Sequence, residues 1–347
     1  MMFAFRKFSF MILLACVSCT AVDKEKFGES EPPVNHPQTV ISDSSSVEAL
    51  DSAAMKAGFT PMKGALLSTR FSTFEEFLEV VEIQYFKPIP RPDFIMPRKP
   101  AARLVHRSNG QEVSSFLSED ISEKDFMNAR DSGFMYKVWL GLNSPYTIAS
   151  KDDIIGVYTL GKRRFTIFGE GDVAFYDLAE TMFCHISGED MERLRDEDLG
   201  EKGYINTFNH VTGQAFMTTL FSERLADFIA DIHERYSLPE LITGEFSEAQ
   251  RIDIENGAVD NYVDIINNEW GQELGKRLKE KYKITWETHW TPTLLSNYLN
   301  DVQDYYSWAF QIDFQPFKAS DKLVKRFADK INRIRTDMSG LYRGSGM

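Results

Sequence analysis

Cysteine is nearly absent: the chain has three in 347 residues, and two of them, Cys16 and Cys19, stand close to its start. Only Cys184 is left for the rest of the chain, so no disulfide framework is available and stability must come from a packed core. An excess of positive charge is missing too. Lys and Arg number 39 against 52 Asp and Glu, a net charge of −13, so a phosphate backbone would be repelled and no nucleic-acid partner is expected. No apolar run is long enough to cross a bilayer. His233-Glu234 does not continue into a zinc-protease motif, because Ser237 stands where the second His would be. Gly169-Glu170-Gly171-Asp172 lacks the Lys and the Ser or Thr of a phosphate-binding loop, so it reads as a turn. No motif calls for a cofactor, and none is expected. There is also no internal repeat.

What is present begins with Ile205 to Phe221, a helix-length stretch without Pro whose one ionisable side chain is His210. A helix without a charged face has to be buried. Asn206, Asn209, Thr212, Gln214, Thr218 and Thr219 make it too polar for lipid, so other helices of the chain must cover it. The expected fold is mainly α, a helical bundle around a buried central helix at 204–236, with a small β-hairpin or sheet near 135–168.

Arg6 and Lys7 precede an apolar run from Phe8 to Leu14 and then small residues, the form of an export signal over 1–19. Leu13-Leu14-Ala15-Cys16 fits a bacterial lipobox, with Cys16 the preferred acylation site because Leu stands three residues before it; Cys19 is the second choice. An ordinary secretory signal is the alternative. Lipidation would place the protein in the cell envelope, held to a membrane by acyl chains and not by a basic patch. Residues 20–55, rich in Ser, Asp, Glu and Pro, cannot bury enough surface to fold and read as a tether containing His36.

An N-terminal region is expected over 56–170. Phe74, Phe77, Val80, Val81 and Tyr85 have helical spacing behind a Ser72 or Thr73 cap, which predicts a helix over 72–86. The following KPIPRPDFIMPRKPAARLVHR holds five prolines, which predicts an extended strap pegged by Phe94, Ile95 and Met96 rather than helix or central strand. MYKVWLGL, IIGVYTL and RRFTIFG read as strands, with Gly161-Lys162 as a hairpin turn. A helical bundle domain follows over 171–340, its helices punctuated by Gly188, Gly203, Pro239, Gly244, Pro292 and Pro316. Tyr305, Tyr306, Trp308 and Phe310 are expected in its core.

Three of these helices carry polar residues beside apolar faces. His210, Gln214, Met217 and Phe221 share one stripe, with Gly213 allowing close approach. On the next helix Phe221, Leu225, Phe228, Ile229, Ile232 and Tyr236 form the core face, with His233 beside it over Ala226 and Ala230, and Glu234 further round. On the third, at about 100° per residue, Val259, Val263, Ile266, Trp270 and Leu274 are apolar, while Asn261, Glu269, Gln272, Lys276 and Lys279 read as the solvent face. Asp260, Asp264, Asn267, Asn268, Gly271 and Gly275 form a separate stripe. Two interior glycines each cost about 1 kcal/mol relative to Ala, which a tightly packed stripe explains.

The order Asn206/Asn209-His210-x-x-Gly213-Gln214-Ala215, His233-Glu234-Arg235, Asp264-x-x-Asn267-Asn268-x-x-Gly271 resembles an uncharacterised helical domain family of bacterial polymorphic toxins and exported proteins. The resemblance covers residues 203–280 and implies a fold and the place of a site, not a reaction.

Three readings of that place stay open. One is a structural polar network that fixes helix register. Another is a hydrolase centre in which His210 or His233 is general base, Asp264 orients it, Asn267 or Asn268 donates to an oxyanion, and Gln214 and Glu234 bind substrate. A metal site of His210, His233 and Asp264 has suitable ligand types but no diagnostic spacing, so no metal is assigned. A non-catalytic envelope lipoprotein is the alternative to an enzyme.

Overall fold

A computed structural model of the protein describes residues 64–86, 101–118, 133–200 and 202–336. The expected signal, both lipidation candidates, the tether and the pegs Phe94, Ile95 and Met96 lie outside them. Along the described chain the elements are α1 (Phe74–Leu78), β1 (Val81–Phe86), β2 (Ala101–Ser108), β3 (Gln111–Ser118), α2 (Phe134–Asn143), α3 (Pro145–Ala149), α4 (Lys151–Leu160), α5 (Phe165–Phe168), α6 (Phe175–Cys184) and α7 (Gly188–Met191). After these come α8 (Tyr204–Leu220), α9 (Glu223–Ser237), α10 (Glu248–Ile252), α11 (Ala258–Lys281), α12 (Pro292–Phe310) and α13 (Lys322–Thr336). The protein is therefore mainly helical with one small antiparallel sheet, as the composition of its segments suggested. Among the described residues no helix is long and apolar enough to cross a membrane.

The uncharged stretch forms α8, and 14 of its 17 residues are buried. Two of its internal hydroxyls find partners on neighbouring helices, while that of Thr218 is buried without one: Thr212 meets the Tyr306 hydroxyl at 2.8 Å, and Thr219 donates to the Gly275 carbonyl at 2.9 Å. Helix α11 is just as central. All of Val259, Val263, Ile266, Trp270 and Leu274 are buried, but so are Asn261 and Gln272, which correct the expected solvent face. Helices α6 and α9 pack on α8, and α9 and the sheet pack on α11, which is why no side of that helix is left for solvent before its last turns. Tyr305 and Tyr306 are fully buried as expected, while Trp308 and Phe310 are only half-buried. Regions on both sides of residue 170 share one hydrophobic core.

The sheet is not where the strand-like residues placed it. Residues 134–168 are helical, because Ile154, Val157 and Leu160 bury at three-residue spacing and Pro145 opens a new helix at its first position. Packing at the helical period overrides the β-propensity of the Val, Ile and aromatic residues. The sheet lies earlier, in the order β1-β2-β3. Thr73 caps α1 as expected by accepting from the Glu76 amide, but α1 stops at Leu78 and the rest of the expected helix is strand β1. The end of the expected strap is the central strand β2, since the last proline is Pro100 and the strand begins at Ala101. Asn109 and Gly110, both at positive φ, make the two-residue turn between Ser108 and Gln111. The inner face of the sheet is held to α11 by a hydrogen bond from Trp270 Nε1 to His106 Nδ1 at 3.0 Å.

The segment leading into α1 is tied to the same helix. Asn267 accepts from the Leu66 amide at 2.7 Å and donates to the Leu66 carbonyl at 2.9 Å, as a neighbouring strand would. Thr207 donates to that carbonyl too, at 3.0 Å, and the Tyr305 hydroxyl accepts from the Ala65 amide.

Candidate functional site

Helices α8 and α11 run parallel in a fixed register, with four side-chain pairs each 58 residues apart. Lys202, just before α8, donates to Asp260 at 2.8 Å; Asn206 donates to Asp264 at 2.8 Å; His210 Nδ1 meets the Asn268 carbonyl oxygen at 2.9 Å; Gln272 donates to Gln214 at 3.3 Å. Each row advances by four residues, the spacing at which side chains stack along one helix face. Two glycines let the rows close. A Cβ at Gly271 would stand 2.7 Å from the Val211 carbonyl oxygen, and one at Gly275 2.5 Å from that of Ala215. Gly213 plays no such part, since its open side faces the Phe175 ring at ordinary contact distance.

A third row by fours comes from α9. Ala226, Ala230, Glu234 and Leu238 are all buried, so the small residues lead to Glu234 and bring it, not His233, against the ladder. His233 is exposed. The expected pair is therefore exchanged, because the row continuing Ala226 and Ala230 runs by fours and misses His233 by one residue. Tyr236, expected in the core, is exposed for the same reason.

At the second and third rungs three groups converge: one nitrogen of His210, one oxygen of Glu234 and one of Asp264 lie within 4.8 Å of one another. His210 Nε2 is 3.3 Å from Asp264 Oδ2. Since the Asn268 oxygen can only accept, His210 carries its proton on Nδ1, and Nε2 is left with a lone pair. Burial pushes the imidazole down to about 4, against the hydrogen bond to Asn268, so the ring is neutral near pH 7. Burial, and next the charge of Asp264, push Glu234 up to about 8; the same two causes raise Asp260 to about 7, with Lys202 opposing. Among the described residues no donor meets the Glu234 carboxyl, though only 3% of the residue is exposed. Asp260 Oδ1 is likewise buried without a partner.

The place is not sealed. The His210 side chain keeps 16% of its surface and Asp264 10%, whereas Asn267 keeps none and Gln272 2%. Beside the first rung, a cleft of about 360 Å³ is lined by charges of both signs, Arg70, Arg195 and Lys202 together with Glu197 and Glu255; His210, Glu234 and Asp264 do not line it.

No family model matches the chain, and no curated protein or solved structure matches it either.

Of the residues singled out from sequence, the structure brings His210, Asp264, Asn268 and Glu234 together. Asn268 cannot supply an oxyanion donor through the atom it shows to the ring, because that atom is its oxygen. Asn267 is spent on the Leu66 backbone, and Gln214 is closed in its pair with Gln272, so neither reaches a ligand. Lys202 was missed. Its signal was its position four residues before Asn206, hidden because it precedes the helix.

Proposed function

We propose that the chain is an exported bacterial lipoprotein, acylated at Cys16 or Cys19, whose helical domain hydrolyses a component of the cell envelope at His210, Glu234 and Asp264. The observation that carries this reading is the contrast along the ladder: at the second and third rungs His210, Glu234 and Asp264 bring acceptor atoms together while His210 and Asp264 keep some exposed surface, whereas Gln214 and Gln272 further on are closed in a pair. Three converging acceptors are suited to hold a water molecule. Glu234 takes a proton from it, the water oxygen bonds to the substrate carbonyl or phosphorus, and the bond to the leaving group breaks as that group is protonated. Asn268 orients the imidazole through Nδ1 and Asn206 orients Asp264, while Glu234 takes the general-base role expected of His210, whose Nε2 lone pair helps to hold the water. For Gln214, Gln272 and Asn267 the reading is the structural one, since each is hydrogen-bonded inside the fold.

The test is a screen of envelope phospholipids and peptidoglycan fragments with the purified full chain, products being read by mass spectrometry. Release of product by the wild type, with a loss of at least about a hundredfold in Glu234→Gln, is expected. Equal turnover by the variant overturns the site, and an inert wild type leaves the non-catalytic envelope lipoprotein. Address is tested separately by labelling cells with a palmitate analogue; an unlabelled, water-soluble product overturns it.

A further inference from the structure

We infer that His210, Glu234 and Asp264 bind a divalent transition-metal cation, Zn²⁺ or Mn²⁺, at the point where helices α8, α9 and α11 meet. The inference goes beyond the hydrolase reading, since a cation can sit here whether or not the site turns over a substrate.

Geometry comes first. Two donors each about 2.1 Å from an ion at the tetrahedral angle stand about 3.4 Å apart. His210 Nε2 and Asp264 Oδ2 are separated by 3.3 Å, and the third ligand atom, from Glu234, closes a triangle with no side above 4.8 Å. The proton inventory points the same way. With Nδ1–H given to Asn268, Nε2 faces the two carboxyl groups as a lone pair, the form in which an imidazole ligates a metal. A cation at the centre would hold both carboxyl groups in their ionised form.

Two further observations are independent of that triangle. Glu234 is buried, and no hydrogen-bond donor reaches its carboxyl among the described residues. One turn before Asp264, Asp260 keeps a buried oxygen with no partner, although Lys202 holds the other. Buried carboxylates of native proteins are normally hydrogen-bonded or paired. A divalent ion bound to Glu234 and Asp264 would compensate both carboxylates, as Lys202 does for Asp260.

The ligand set selects the ion. One imidazole and two carboxylates without thiolate suit Zn²⁺ or Mn²⁺, whereas Ca²⁺ and Mg²⁺ take oxygen alone. Asn268 on the far side of the ring and Asn206 on the second oxygen of Asp264 are the outer hydrogen bonds that fix ligands in place. A fourth position faces the solvent-exposed edge of His210 and Asp264, where a water molecule would bind; the free oxygen of Glu234 then stands ready to accept its proton.

The experiment strips the full chain with chelator, exchanges it into chelator-free buffer and titrates Zn²⁺ and Mn²⁺ by calorimetry, following Tm in parallel and the visible absorption of Co²⁺ as a probe of ligand type. One ion per chain with a rise in Tm is expected. Glu234→Gln keeps the shape of the ligand and removes its charge, so affinity should fall about a hundredfold while the stripped variant melts higher than the stripped wild type. Asn268→Ala should weaken uptake about tenfold. A wild type that takes up no ion, or uptake unchanged in both Glu234→Gln and His210→Ala, overturns the site. Uptake without turnover supports the cation and overturns only the hydrolase.

Discussion

The two ends of one helix pair are built for different purposes. From Gln214 and Gly271 onward, α8 and α11 meet through closed contacts: an amide pair, glycines under carbonyl oxygens, and a threonine that donates to a backbone carbonyl. Over the preceding turns, the same register and the same four-residue rows present Asp260, Asp264 and His210, with Glu234 added from α9. Register is thus fixed by the closed end, and the open end inherits a geometry that its own crowded carboxyl groups would not hold. A functional site can carry unsatisfied groups when its scaffold is over-determined elsewhere.

The largest expected effect lies in the closed end. Replacing both Gly271 and Gly275 with Ala drives each new methyl group into the backbone of α8, and a loss on the order of 4 kcal/mol in urea unfolding is expected from overpacking. A loss below about 1 kcal/mol would mean that the helices separate easily, and the comparison would fail.

His106 sharpens it next, as a buried histidine that does have its donor. Burial pushes it down to about 4, against about 6.5 in an unfolded chain. Between those values the unfolded state binds a proton and the folded state does not. Its stability contribution is therefore complete above pH 6.5 and is lost as pH falls toward 4, by about 3 kcal/mol. Unfolding of wild type and His106→Gln across that window should differ in slope by this amount, and parallel curves would show that His106 protonates without cost.

The amide pair tests closure on a smaller scale. Gln272→Leu leaves Gln214 buried and unpaired and should cost about 2 kcal/mol, whereas adding Gln214→Leu should recover much of it. Losses that simply add would place the two side chains in separate environments. Last, His233→Ala should change stability by less than about 0.5 kcal/mol, because the residue is exposed. A larger loss would return His233 to the site.

The helices after residue 173 were legible because glycine and proline punctuate them and because one stretch lacked charge altogether. Among the converging and orienting residues, His210, Asp264 and Asn268 were legible as polar positions beside apolar faces. The offset of 58 residues that joins the rows was not, since it is set by how α9, α10 and their connections fold back. Glu234 was passed over in favour of His233 because angles on an isolated helix do not say which flank its neighbours will cover. The sheet was misplaced for a different reason. Asn109-Gly110 between ARLVHRS and QEVSSFLS is the stronger turn signal, yet the prolines just before it suggested an irregular strap, and Gly161-Lys162 sits in a helical region.

The double hydrogen bond from Asn267 to Leu66 has a mechanical consequence. Tension arriving along the chain from the N-terminal side meets the single bond of Ala65 to Tyr305 and then Leu66, where it passes through one side-chain amide into α11, three residues beyond Asp264. The load path of the molecule and the helix that carries its carboxylates are the same piece of backbone.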